Sequence, residues 1–210
     1  GQKGIPAVGG GVERYVEDLS TRIVASGHEV IVYTRPNYTP SALAYHKGVR
    51  LVSLPTIASK HLDAITHTVL ATIHAAWTGV DVIHFQSIGP ALVSWLPKLL
   101  NSRLKVVSTL QSRDYEHQKW GACARSMLKL GEMLMCRFSD KLIVITESMR
   151  VYVQTKYKKS ARVIPNGANL SEAVNDDSQI RHWGLSRGNY IVAISRIVHH
   201  KGLGYLVDAY

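Results

Sequence analysis

Cysteine, charged residues and long apolar runs are all scarce in this sequence of 210 residues. Two cysteines, Cys123 and Cys136, are too few for a disulfide framework or a four-cysteine zinc site. No apolar run approaches the ~20 residues of a membrane-spanning helix, and the opening residues lack the apolar segment of a signal peptide. Charged residues make up 19% and hydrophobic residues 46%, which indicates a chain that buries a core rather than a disordered one.

Acidic residues are also few relative to basic ones. Twenty-five Lys and Arg against 15 Asp and Glu give a net charge of +10, which favours an anionic partner. The stretch 150–162 carries several cations and no acid. It is either a solvated face or a contact for anionic lipid or nucleic acid.

Apolar periodicity alternates between helix and strand along the chain. Helical spacing marks 11–26, 61–78, 90–100 and 121–138, and short apolar runs mark strands at 29–33, 49–54, 81–85, 104–110, 141–146 and 190–195. Continuous apolar strands separated by helices are typical of a parallel sheet covered on both faces. The sequence therefore predicts an α/β fold with a doubly wound, parallel, Rossmann-like sheet.

A polar, turn-rich stretch at 167–188 indicates a domain boundary. We predict a Rossmann-like domain over 1–170, followed over 171–210 by a linker and the beginning of a second α/β domain. A glycine loop such as Gly9-Gly10-Gly11 normally follows a strand. We therefore expect the chain to be a fragment whose first strand and later domain lie outside this sequence.

The glycines at 9–11 lead directly into the first predicted helix. Glycines let the backbone approach a ligand, and a helix N-terminus offers free N–H groups, so the loop suits a diphosphate; a plain tight turn is the alternative. The spacing is not G-x-G-x-x-G, which disfavours a nicotinamide-dependent oxidoreductase.

Two further segments follow predicted strands, where open α/β sheets bind ligands. Arg196 and Lys201 would bind phosphate oxygens there, or would be two solvated cations. Residues 111–121 combine hydrogen-bonding groups with Tyr115 and Trp120, which suits sugar or nucleotide recognition as well as an ordinary polar loop. His84 is interpreted as a satisfied core histidine, Asn166-Gly167 as a turn, and no histidine pair has metal-site spacing with a third ligand.

Taken in order, these motifs resemble the GT-B glycosyltransferases of family 4 over nearly the whole chain. The resemblance is carried by GQKGIPAVGGGVERYVEDLS, SGHEVIVYTR, DVIHFQS, SDKLIVITES, VIPNGAN and ISRIVHHKG. The segment HQKWG, after the central strand, is similar to a rhamnosyltransferase-like subgroup. The implied reaction is sugar transfer, with retention, from a nucleoside diphosphate sugar to a glycan or lipid-linked acceptor in cell-surface polysaccharide synthesis.

The resemblance also implies roles for individual residues. Gly10 and Gly11 would lie against the donor diphosphate, Arg196 and Lys201 would neutralise it, and Asn166 and Gly167 would form an interdomain turn. Gln111 stands where the family usually has a histidine near the transferred sugar, and is the candidate catalytic residue. Candidates for binding acceptor or sugar are Gln86, Arg113, Asp114, His117 and Lys119.

The same resemblance implies no cofactor, no essential metal and no specific nucleic acid partner. It places the enzyme in the cytoplasm, peripherally at the inner face of the membrane. The family's acidic E-x7-E motif is not in this sequence, so we expect the fragment alone to be inactive. The competing interpretation is a non-catalytic, basic α/β module for nucleic acid or anionic membrane, favoured by glutamine at 86 and 111.

Overall fold

The computed structural model describes residues 3–57, 59, 63–116, 120–167, 176, 178–195 and 197–210. The chain divides into two compact units, 1–167 and 168–210. The helices of the first unit are α1 (Gly11–Ala25), α2 (Asp63–Trp77), α3 (Leu96–Leu100), α4 (Ala122–Phe138) and α5 (Glu147–Tyr157). Its strands are β1 (Ile31–Thr34), β2 (Tyr45–His46), β3 (Val49–Ser53), β4 (Val82–Gln86), β5 (Lys105–Leu110), β6 (Lys141–Val144) and β7 (Arg162–Val163).

The first sheet has the order β1-β3-β2 and is covered by α1 and α2. β1 and β3 are parallel, whereas β2 pairs antiparallel with β3. Val32 and Leu51 pack with Val16 of α1. On the other side, the Tyr33 hydroxyl lies 3.0 Å from His74 Nδ1 of α2. Alternate residues of β1 therefore contact different helices, as the period of a strand requires.

The second sheet is wholly parallel, with the order β4-β5-β6-β7. Its strands are short and largely buried: Val106, Leu110 and Val144 have no solvent exposure. The apolar faces of α4 and α5 supply Met135 and Val153 to the same core. The sheet places the carboxyl ends of β4, β5 and β7 along one edge.

The predicted α/β class and Rossmann-like parallel sheet are confirmed, but the described strands fall into two sheets rather than one. α2 joins them, because His67 lies 3.2 Å from the Thr34 carbonyl oxygen while Val69 packs against Phe85 of β4. The predicted helix at 90–100 is divided into a 3-10 helix, Pro90–Val93, and α3.

The second unit contains α6 (Ser178–His182), a 3-10 helix His199–Lys201, and α7 (Leu203–Ala209). The strand predicted at 190–195 is wrong, since these residues are not in a β-ladder. A strand needs a neighbour to satisfy its backbone groups, and no described segment pairs with this one. Ile194 is 93% exposed, so the apolar run that suggested a buried strand faces solvent.

Candidate functional site

Three amide side chains form a hydrogen-bonded chain at the carboxyl edge of the second sheet. Asn166 Nδ2 donates to Gln111 Oε1 over 3.0 Å, and Gln111 Nε2 donates to Gln86 Oε1 over 3.2 Å. Gln86 ends β4, Gln111 directly follows β5, and Asn166 follows β7. The parallel strands thus bring together three residues that are far apart in sequence. Gln86 and Gln111 are 7% and 8% exposed, so only part of each amide reaches solvent.

A histidine and a threonine extend this chain along the sheet. Gln86 Nε2 lies 3.2 Å from His84 Nε2, which lies 2.7 Å from Thr109 Oγ1. Burial lowers the pKa of His84 to about 4, so the imidazole is neutral at physiological pH. The interpretation of His84 as a hydrogen-bonded interior histidine agrees with these contacts. Every member of this site is uncharged, which suits hydrogen bonding to hydroxyl groups.

Helix α1, which follows the glycine loop, contacts the same strand through Tyr15. Tyr15, one turn into α1, hydrogen-bonds Thr109, and burial raises the pKa of its phenol. Gly10 is the N-cap residue of α1, with φ of 97°, and no side chain caps the helix there. A Cβ at Gly10 would clash with the Glu13 carboxylate, whereas one at Gly11 would meet nothing within 4 Å. Helix α1 therefore begins at Gly11, which has open space at its Cβ position, while the Glu13 carboxylate lies beside Gly10.

The loop after Gln111 carries two more of the predicted residues. Asp114 begins a short 3-10 helix, and Arg113 directly precedes it. Arg113 pairs with Glu116 over 3.0 Å and stacks 4.8 Å from the centre of the Tyr152 ring. Asp114 Oδ1 accepts a hydrogen bond from Ser112 Oγ at 2.5 Å. These contacts fix the loop beside the amide chain. His117 and Lys119 lie outside the described residues.

A buried carboxylate, Glu132 of α4, anchors this loop by accepting a hydrogen bond from Tyr115. It has no solvent exposure and accepts hydrogen bonds from Tyr115 at 3.0 Å, Tyr152 at 2.7 Å and Tyr157 at 2.5 Å. Lys156 Nζ lies 3.1 Å from the same carboxylate. Burial acts to raise the pKa of Glu132, but the hydrogen bonds from Tyr157, Tyr152 and Lys156 together lower it, so the carboxylate stays charged. Because Tyr115 belongs to the loop, the cluster connects the loop to α4 and α5.

The residues predicted to bind the donor phosphates belong to the second unit. Lys201 is exposed at the end of the 3-10 helix, before Gly202 with φ of 68°. Arg196 lies outside the described residues. Gly167 is exposed beside Asn166, in the segment that ends the first unit.

Sequence analysis missed the contribution of Thr109, Tyr15 and the Glu132 cluster. These contacts are between residues distant in sequence, and nothing in local spacing marks them. One signal was available: Glu132 is the only acid between 122 and 138, on the face of the predicted helix that carries the apolar residues.

In the described part of the chain, no three potential metal ligands of the His, Cys, Asp or Glu type cluster together. No helix in that part is long and apolar enough to cross a bilayer.

Comparison with known proteins agrees with this architecture. The profile of Glycosyltransferase Family 4 matches residues 9–172. A solved structure of sucrose-phosphate synthase from Thermosynechococcus elongatus is similar in fold, with a TM-score of 0.56 and 20% identity over 74% of this chain and 86% of that chain. No curated protein matches the sequence. Because the family profile covers most of the chain, this protein belongs to glycosyltransferase family 4.

Proposed function

We propose that this chain is the acceptor-side part of a retaining glycosyltransferase of the rhamnosyltransferase-like type. It transfers a sugar from a nucleoside diphosphate sugar to a glycan or lipid-linked acceptor in cell-surface polysaccharide synthesis. Family membership supports glycosyl transfer and the use of a nucleotide sugar and an acceptor. The enzyme works in the cytoplasm, at the inner face of the membrane.

The observation that carries the proposal is the neutral amide chain formed by Asn166, Gln111 and Gln86. Sugars offer several hydroxyls, each of which both donates and accepts hydrogen bonds. A primary amide has both functions and is fixed here by its neighbours at 3.0 and 3.2 Å, so its outward atoms are already oriented. Oriented groups lose little entropy on binding. The chain therefore supports a binding role for a hydroxyl-rich substrate.

The positive charge in this proposed mechanism comes from Arg196 and Lys201 rather than from the amide chain. The leaving nucleoside diphosphate gains negative charge in the transition state, and Arg196 and Lys201 neutralise it. Gly10 and Gly11 admit the diphosphate close to the backbone of α1. Gln111 cannot move a proton, so it orients the transferred sugar, and the donor phosphate itself serves as the base. No metal or cofactor takes part in this scheme.

Donor turnover by the full-length protein tests the proposal. We expect nucleoside diphosphate release from one member of a panel of UDP-, GDP- and dTDP-sugars, with mass spectrometry showing the sugar on a polyprenyl-phosphate-linked acceptor. Gly11→Leu should abolish release without unfolding the protein, because the space around Gly11 is open. Gly11→Ala, which adds a single methyl group in the same open space, is the matched control and should retain more activity than Gly11→Leu. Absence of release from every donor would favour a non-catalytic binding module.

A further inference from the structure

The outer face of α4 exposes apolar side chains in an ordered array. Met127, Leu130 and Met133 are 41%, 40% and 44% exposed. Leu130 and Met133 are three residues apart and lie in one row with Ser126 and Arg137, and Met127 lies one turn before Leu130. The opposite face of α4 buries Met135 and Cys136 in the core, so the exposed apolar residues are not part of the internal packing.

Two exposed cations border this face. Arg137 lies one turn beyond Met133 and Lys129 one turn before it, with the Lys129 ammonium 5.8 Å from the centre of the Tyr115 ring. Arg125 is exposed too, but at about 100° per residue it lies on the other side of the helix from Leu130. Glu132, the only acid in α4, is fully buried and bonded to tyrosine hydroxyls. Exposed α4 therefore presents cations and apolar groups with no carboxylate among them.

Three acids on neighbouring segments are paired with cations, and Asp114, before α4, accepts a hydrogen bond from Ser112. Glu116 pairs with Arg113, and Glu147 pairs with Arg150. Asp140, just beyond α4, pairs with Lys98 at 2.5 Å. These three pairs cancel locally, so Glu116, Glu147 and Asp140 do not neutralise the cations of α4.

The basic stretch 150–162 is less available than its sequence indicates. Lys156 binds Glu132, Lys159 Nζ donates to the Ser139 carbonyl oxygen at 2.7 Å, and Arg150 pairs with Glu147. Lys158 and Arg162 remain exposed. Exposed cations and a group of exposed apolar side chains therefore occur together on α4, whereas three of the cations in 150–162 already have partners.

We propose that the outer face of α4 binds the surface of an anionic phospholipid membrane. Its cations match lipid phosphates, while Met127, Leu130 and Met133 enter the boundary between headgroups and acyl chains. Nucleic acid would satisfy the cations but would leave these methionine and leucine side chains in water. This surface specifies where the proposed peripheral enzyme meets its membrane, and it rests on that membrane location rather than on the transfer chemistry.

A fluorophore on Cys123 reports the contact directly in the full-length protein. Cys123 is exposed on the outer face of α4 and Cys136 is buried, so a thiol-reactive NBD group labels Cys123 selectively. With vesicles of phosphatidylcholine and phosphatidylglycerol at 3:1, we expect a blue shift and quenching by doxyl-lipids. Phosphatidylcholine vesicles and a 20-nucleotide RNA should give neither. A blue-shifted spectrum before vesicles are added would show that protein covers this face, and would overturn the proposal.

Sedimentation with the same vesicles tests the residues. Lys129→Gln with Arg137→Gln should lower the partition coefficient about 25-fold, taking roughly fivefold for each cation. Leu130→Ser with Met133→Ser should also release the protein. The matched controls are Lys158→Gln with Arg162→Gln, and Leu99→Ser with Leu100→Ser, which should bind like the parent. Equal losses in a control pair, or unchanged binding of both α4 variants, would contradict the assignment. Measured without sugar nucleotide, the binding stands or falls independently of catalysis.

Discussion

Glu132 shows at the residue scale how a buried charge is kept ionised. Three tyrosine hydroxyls and one ammonium group surround it, and these contacts take the place of water. Removing the carboxylate leaves Tyr115 and the other donors without their acceptor. The residue therefore contributes to stability only as part of the set.

Glu132→Ala should lower the free energy of unfolding by about 1–3 kcal/mol, because it removes the carboxylate that accepts the hydrogen bond of the buried Tyr115 hydroxyl. Urea denaturation measures the change. Glu147→Ala is the matched control: this helix glutamate pairs with Arg150 at the surface, and its loss should leave the denaturation midpoint nearly unchanged. Equal midpoints for the two variants would show that the Glu132 cluster does not stabilise the fold.

His67 gives a pH-dependent prediction. It is 1% exposed, and burial, with a smaller effect from the charge of Arg35, lowers its pKa to about 4 from the ordinary 6.5. Between those values the unfolded chain binds a proton that the folded chain does not, so stability falls as pH falls from about 6.5 to 4. The contribution lost at pH 5 is about 2 kcal/mol. Denaturation of the parent and of His67→Gln at pH 7 and pH 5 isolates it: the parent should lose about 2 kcal/mol more than the variant, and parallel losses would argue against this role.

Lys201 and Gln111 separate charge from hydrogen bonding in the proposed site. In the full-length enzyme, Lys201→Ala should remove a charge-assisted contact of about 1.5–3 kcal/mol, or roughly 10- to 150-fold in kcat/KM. Gln111→Ala should have a smaller effect, since it removes neutral hydrogen bonds only. Steady-state kinetics with the cognate donor decides between them. Wild-type kcat/KM for Lys201→Ala together with an inactive Gln111→Ala would refute the phosphate-clamp assignment.

At the scale of elements, the sequence predicts those parts of the fold that local pattern determines. The strand predicted at 104–110 is observed as β5 at Lys105–Leu110, and the helix predicted at 121–138 as α4 at Ala122–Phe138. Both have long, unambiguous periodicity. Residues 190–195 have an equally apolar pattern, but no segment among the described residues pairs with them, and pairing depends on the neighbouring segment as well as on the run itself.

In the candidate site too, local features could be predicted from the sequence, whereas contacts between distant segments could not. That Gln86 and Gln111 occur at strand ends could be predicted from the apolar runs before them. Their hydrogen bond to each other could not, because it depends on β4 and β5 being neighbours in the sheet. Likewise, the tethering of Tyr115 by Glu132 depends on the way α4 packs beside the loop.

For the molecule as a whole, the two units differ in how much apolar surface they bury. The first unit contains every buried hydrophobic core cluster found among the described residues. In the second, the described residues include no buried side chain, and Trp183, Ile197 and Val207 are 78%, 91% and 75% exposed. Conformational entropy opposes order in such a segment, with little burial to offset it.

Native-state hydrogen exchange of the 210-residue chain should therefore differ sharply between the units. Amides of α7 should exchange within about tenfold of unfolded rates, since local opening there exposes no core. Amides of β5, central in the second sheet, should be protected by nearly the whole free energy of unfolding. Protection of α7 comparable to that of β5 would mean that the second unit is stabilised by contacts beyond its own residues.

The amide chain has one further property, which is its polarity. Asn166 donates to Gln111, Gln111 donates to Gln86, and the Gln86 amino group faces His84, so the side-chain dipoles run head to tail in one direction. Rotation of one amide by half a turn would set donor against donor at one of its ends. A substrate hydroxyl that engages one amide thus constrains the orientation of the next, and recognition spreads along the edge of the sheet as a cooperative choice between two opposite alignments.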